Sequence, residues 1–155
     1  MAGDATIQSA LQTVIQGLTG TFATADVVLG DLKVIGRGSA PYAVILPGPM
    51  RSERSGDWGQ VRYRWTHYVE VWDRFAGDSY SSIVTAIQSV IDEINAHPSL
   101  DGTAGIVNCL VEARSDPIYL WQKGQARATL PSFVGFRLTV MTIEEVVYAA
   151  DEFVT

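Results

Sequence analysis

Few residues in this 155-residue chain are able to do acid–base, nucleophilic or metal chemistry. There are two histidines, His67 and His97. His67 falls on the core-facing register of an alternating segment, so it reads as a hydrogen-bonded core histidine rather than a base or ligand. His97 falls in the last turn of a helix, where the helix dipole favours an imidazolium, and it reads as a cap. Glu93 and His97 are spaced i, i+4. A metal site there needs further ligands, and a helix-surface pair is the plainer reading. Cys109 is the single cysteine. This excludes an internal disulfide and any zinc site built on cysteines. Alternation places it on one face with Val107 and Val111, as a buried, inert thiol, and a Cys109–His67 dyad lacks a third, orienting group. Glu144-Glu145 and Asp151-Glu152 are adjacent carboxylates. Neighbours on a strand point to opposite faces, so neither pair makes a dyad, and both read as part of a solvated acidic tail. Gly36-Arg37-Gly38-Ser39 lacks the Gly-Lys-Ser/Thr that completes a phosphate loop. The expectation is a protein that is not an enzyme, with no catalytic residue, no metal site and no cofactor.

The surrounding elements are more legible. Ile7, Ala10, Leu11, Val14, Ile15 and Leu18 share one face of a helix over about 5–18, with Asp4 as its cap and Gly17 and Gly20 at its end. Gln8, Gln12 and Gln16 form a neutral polar stripe, suited equally to solvent or to a subunit contact. Residues 21–40 read as a glycine-rich link, with a short strand at Asp31–Ile35. Tyr42–Leu46, between Pro41 and Pro47, reads as a buried strand broken by Pro47-Gly48-Pro49, and residues 50–60 as an exposed loop.

Val61–Arg74 alternates over fourteen residues. Val61, Tyr63, Trp65, His67, Val69 and Val71 face the core. Arg62, Arg64, Thr66, Tyr68, Glu70, Trp72 and Arg74 face away, on a side unusually aromatic for solvent. A second helix is expected over about Tyr80–His97, capped by Asp78 or Ser79 and stopped by Pro98, with Tyr80, Ile83, Val84, Ile87, Val90, Ile91 and Ile94 as its stripe. Ile106–Arg114 and Phe133–Ile143 read as strands. Asp116-Pro117 breaks the first of these, residues 118–131 read as an irregular strand pair or a long loop, and 144–155 as a short helix or an arm to another subunit.

These elements specify one α+β domain over 1–155. It has two layers, with a mostly antiparallel sheet and two amphipathic helices packed on one face. Its parts are the N-terminal helix (1–20), the link (21–40), the core (41–143) and the acidic tail (144–155).

A chain this long buries roughly 70% of its unfolded surface. With 47% hydrophobic and 18% charged residues, it is not a disordered chain, and its low charge suggests a surface partly covered by partners. The net charge of −6 argues against a dedicated nucleic-acid grip. No apolar run approaches the ~18 residues of a membrane span. Asp4 near the start, with no Lys or Arg before Lys33, does not fit a signal peptide, so a soluble cytoplasmic protein is expected. The one local basic excess is Arg51, Arg54, Arg62, Arg64 and Arg74, interleaved with Trp58, Trp65 and Trp72. Such a mixture stacks single-stranded nucleic acid when it is dense. Here it is sparse, and Arg, Trp and Tyr are also the residues of protein interface hot spots. Arg51, Arg54, Trp58, Tyr68, Trp72 and Trp121 are the expected interface residues.

The element order resembles that of the tail terminator (tail completion) proteins of long-tailed bacteriophages. The resemblance spans nearly the whole chain. It runs from the helix Ile7–Leu18 and the glycine-rich link to Pro41-Tyr42-Ala43-Val44-Ile45-Leu46, the long strand Val61–Asp73, the helix after Asp78-Ser79 and the closing strand pair. It departs in residues 115–131 and in the acidic tail, and it carries no catalytic signature. It implies a structural virion protein that forms a homo-oligomeric ring, typically a hexamer, on the end of the tail tube. That ring terminates tail polymerisation and meets the head-side connector protein. DNA passes through its lumen without specific binding, and no membrane is involved. The protein would reside in the tail or neck of the virion and, during assembly, in the host cytoplasm. The sheet face with Tyr68 and Trp72 would supply one ring patch. The loops 48–60 and 115–131, with Arg51, Arg54, Trp58 and Trp121, would supply the other. Another head–tail adaptor, a small α+β ligand-binding domain or enzyme, and a nucleic-acid-binding module are the alternatives.

Overall fold

The computed structural model describes residues 2–30, 41–54, 59–75, 79–121 and 131–148. The elements are α1 (Gly3–Gln16), β1 (Val27–Leu29), β2 (Tyr42–Arg54), β3 (Gln60–Arg74), α2 (Ser79–Asn95), β4 (Ile106–Arg114), β5 (Ile118–Leu120) and β6 (Phe133–Val147). The six strands form one sheet in the order β1-β2-β3-β6-β4, and β5 pairs with β6 beyond the end of β4. Only β1 and β2 run parallel. Both helices lie on one face, as the expected α+β architecture requires.

The core follows the two periodicities. Ile7, Leu11, Val14 and Ile15 of α1 and Ile83, Ile87, Val90 and Ile94 of α2 are buried. They meet Ala43, Ile45, Val69, Val71, Val134, Phe136, Leu138 and Val140 from the inner face of the sheet. Each such side chain contributes about 1.5–3 kcal/mol by leaving water. Tyr80 departs from the expected stripe: it lies at the start of α2 and is exposed.

Several local expectations are corrected. Asp4 does not cap α1. The helix begins two residues earlier than expected, at Gly3, and Asp4 sits in its first turn. The half-buried glutamine stripe makes contacts within the chain. Gln12 donates to the Val27 carbonyl at 2.9 Å and Gln16 to the Thr24 carbonyl at 3.2 Å. These amides fasten the following segment to the helix, so residues 21–30 hold a 3-10 turn and β1 rather than a featureless link. The strand expected at Asp31–Ile35 lies outside the described residues, as does the Asp78 cap.

β2 is not a five-residue strand followed by a loop. It continues through Pro47-Gly48-Pro49 to Arg54, with a register shift between Pro47 and Met50. Proline lacks an N–H and is tolerated on a strand edge. Among the described residues β1 covers only Ala43–Ile45, which leaves this stretch as an edge. A Cβ on Gly48 would stand 2.6 Å from the Thr66 carbonyl oxygen, so the shift requires glycine.

β6 likewise runs four residues past Ile143, to Val147. Glu144 and Glu145 are therefore strand residues and not the start of a solvated tail. On β4 a register shift between Ile106 and Asn108 leaves Cys109 buried and Val107 exposed, so Val107 does not share its face.

His97 lies just beyond α2, and its Nδ1 donates to the Glu93 carbonyl at 2.7 Å. That bond raises its pKa. Burial opposes the rise, while Asp101 and Glu93 assist it. A raised folded pKa gives stability that is complete below the ordinary value of about 6.5 and is lost as pH rises through the folded value. His97→Gln should therefore lower the urea midpoint more at pH 5.5 than at pH 8.5. An equal loss at both pH values would show that the charge contributes nothing.

Candidate assembly surface

Two polar centres occur at the hairpin end of the sheet, one on each face. On the inner face lies the ladder Tyr63, Trp65, His67, whose successive ring centroids are 6.4 Å apart. Glu144 is fully buried beside it. Its carboxylate accepts from Trp65 Nε1 at 3.1 Å and from the backbone N–H of Ala2. His67 Nε2 donates to Asp4 Oδ1 at 2.5 Å, and its buried Nδ1 has no partner among the described residues. Burial pushes the Asp4 pKa up, but the bonds from His67 and Gln8 outweigh it and hold the carboxyl below its usual value. The Tyr63 and Tyr148 hydroxyls meet at 2.5 Å, and this bond raises the Tyr63 pKa. The bonds from Ala2 to Glu144 and from His67 to Asp4 fasten the start of α1 across the sheet. Cys109 accepts from Thr142 Oγ1 at 3.5 Å, and burial pushes its thiol pKa up. Among the described residues no three His, Cys, Asp or Glu side chains are grouped to hold a metal ion.

The outer face carries the residues expected at an interface, and it separates them. Trp72 and Tyr68 lie toward the β1 end and the middle. Trp72 is only 2% exposed, packed with Tyr42, Val44 and Phe133 in a second apolar cluster. Its Nε1 donates to Glu70 Oε1 at 3.4 Å. Glu70, also buried, is held by Arg137 at 2.7 and 2.9 Å. The Arg137 guanidinium stands 4.8 Å over the Tyr68 ring. Trp72, Glu70, Arg137 and Tyr68 are thus joined within the chain. A charge placed at Trp72 would test the fold before it tested any contact between subunits. Trp121 follows β5 at the same end and is half-buried. Trp58 lies outside the described residues.

Arg51 and Arg54 lie at the opposite end, on exposed β2. Arg54 pairs in register with Val61, while Arg51 stands directly across from Arg64. Arg51 is separated from Tyr42, the register partner of Trp72, by nine residues, or roughly 30 Å of strand. Around Arg51 is a groove of about 480 Å3 that also takes in Arg62, Arg64 and Glu53, with Met141 and Ile143 from β6. It adjoins a hollow of about 250 Å3 beside Pro49 and Thr66. Arg62 is paired with Glu145 at 2.7 Å and Arg64 with Glu112. Arg51 has no charged partner among the described residues. Met141, Ile143 and Glu145 were not expected here. Strand alternation gives their parity, but only the β3–β6 register brings them beside the arginines.

No protein-family model matches the chain. No curated protein matches it either. A chain in the solved "Virion of native gene transfer agent (GTA) particle" matches with a TM-score of 0.55, covering 90% of this chain and 95% of that one at 14% identity. The two chains share a fold. The match spans helices and sheet together, since it takes in nearly all of both chains. At this identity it carries no residue-level correspondence to the Arg51 groove. No described helix is long and apolar enough to cross a membrane.

Proposed function

We propose that this chain is a structural component of a phage-type virion. Its specific role would be the ring-forming subunit that caps the tail tube, stops its polymerisation and joins it to the head-side connector. The observation that carries the reading is the shared fold with a chain of a gene transfer agent virion over nine-tenths of this sequence. The element order and the absence of a catalytic signature in the sequence support the same reading. A head-to-tail contact that closes by rotation forms a ring and uses two different patches on each subunit. The outer sheet face offers separated surfaces of this kind, at the Arg51 groove and around Tyr68. A net charge of −6 suits a lumen through which DNA slides without being gripped.

The test is the solution mass by light scattering, with negative-stain imaging of the same fraction. A closed ring with a central hole is expected, and it should bind purified tail tubes. A monomer that fails to bind tubes would overturn the reading. A ring that binds the connector and not the tube would make the chain a head–tail adaptor.

A further inference from the structure

We infer that the Arg51 groove receives residues 149–155 of a neighbouring copy of this chain. The inference rests on the ring reading and gives one of its two patches a concrete occupant.

One guanidinium of the groove, Arg51, has no ion-pair partner among the described residues, although Glu53 balances the groove's formal charge. Arg51 and Arg64 are direct cross-strand partners, and like charges so placed repel. Arg64 is answered by Glu112 and Arg62 by Glu145, but Arg51 is answered by no described residue. Glu53, on the same groove, has Arg62 as its register partner across the hairpin. The hollow therefore asks for an acid next to Arg51 and for apolar matter over Met141 and Ile143. An exposed guanidinium flanked by apolar side chains is also the anchor type that binding hot spots favour.

The chain contains a segment of that composition. After Tyr148 come Ala149, Ala150, Asp151, Glu152, Phe153, Val154 and Thr155. Two adjacent acids are followed by an aromatic and a β-branched residue, matching an arginine beside an apolar floor. The segment departs from the same end of the sheet. The Tyr148 N–H donates to the Gly59 carbonyl at 2.7 Å, and its hydroxyl meets that of Tyr63 on the helix-covered face. The backbone is therefore still following β3 at Tyr148 and heading past the hairpin end, away from its own groove. Seven extended residues reach roughly 23 Å, enough to cross onto an adjacent subunit. Donor segment and acceptor groove are different surfaces, so the contact is able to repeat head-to-tail, as a ring requires.

The test uses the full chain with Asp151→Lys and Glu152→Lys, whose own segment no longer competes. A fluorescein-labelled peptide of residues 149–155 is titrated onto it and followed by anisotropy. Saturable binding is expected, weakened about tenfold by adding Arg51→Glu and also weakened by 0.5 M salt. No saturable binding, or equal binding with Arg51→Glu, would overturn the inference. Light scattering on the same double-lysine variant then places the contact. A smaller species than the parent chain is expected. Peptide binding with an unchanged ring mass would place the segment in its own groove and overturn docking between copies while leaving the ring intact. A parent chain that is monomeric and does not bind tail tubes would instead remove the ring reading.

Discussion

Gly135→Ala should destabilise the chain by about 3 kcal/mol or more, the upper part of the range for overpacking a filled core. Gly135 is the register partner of Trp72 on the outer face. A Cβ there would stand 2.9 Å from Trp72 Cζ3 and closer still to Cε3 and Cδ2. The indole has no room to retreat, since Tyr42, Val44 and Phe133 enclose it and it is 2% exposed. Trp72→Leu alone opens a cavity and costs stability in the opposite way. The double variant relieves the clash and fills part of the cavity, so its loss should be smaller than the sum of the single losses. Urea unfolding of the four proteins measures this coupling. Strictly additive losses would mean that the aromatic-over-glycine contact is not the reason for glycine at 135.

Arg137→Ala should cost about 3 kcal/mol, because it leaves the Glu70 carboxylate buried without a countercharge. The side chain of Glu70 is 3% exposed and that of Arg137 is 43% exposed. The two partners are therefore unequal. Glu70→Gln leaves an arginine that reaches water, and its loss should be clearly smaller. Arg137→Lys keeps the charge but not the two-pronged geometry or the stacking over Tyr68, so it should fall between the two. Denaturant midpoints for the three variants test the order. A loss from Glu70→Gln equal to that from Arg137→Ala would refute the burial argument.

Alternation over Val61–Arg74 and the stripe Ile83–Ile94 were legible because burial of one face imposes its own period. His67 reads correctly as a hydrogen-bonded core residue on parity alone, although nothing in the sequence identifies Asp4 as its partner. Strand ends are obscured in the sequence where chemistry and position disagree. Pro47 and Pro49 look like terminators, but they are tolerated because β1 stops at Leu29 and leaves an edge among the described residues. Glu144 and Glu145 look like solvent residues. They extend β6 because Trp65 and the Ala2 N–H satisfy the first, and Arg62 pairs with the second. The Gln8, Gln12, Gln16 stripe was recognised as neutral and polar, but its acceptors lie within the chain itself.

The expected interface residues show the same division. Their types were read from composition and their common sheet face from parity. Trp72 and Tyr68 nevertheless belong to an internal network with Glu70 and Arg137, while Arg51 opens onto a groove that includes Met141 and Ile143. By itself, the sequence determined the α+β class, the two helices on one face and the inward set of the long strand, because period and burial are local properties of the chain. Only the tertiary structure decided which charges are answered, where β2 and β6 end and which aromatics remain available. Those depend on pairing β6 with β3 across some seventy residues of sequence. Register at that separation is set by the packing of the whole sheet and not by any short segment of it.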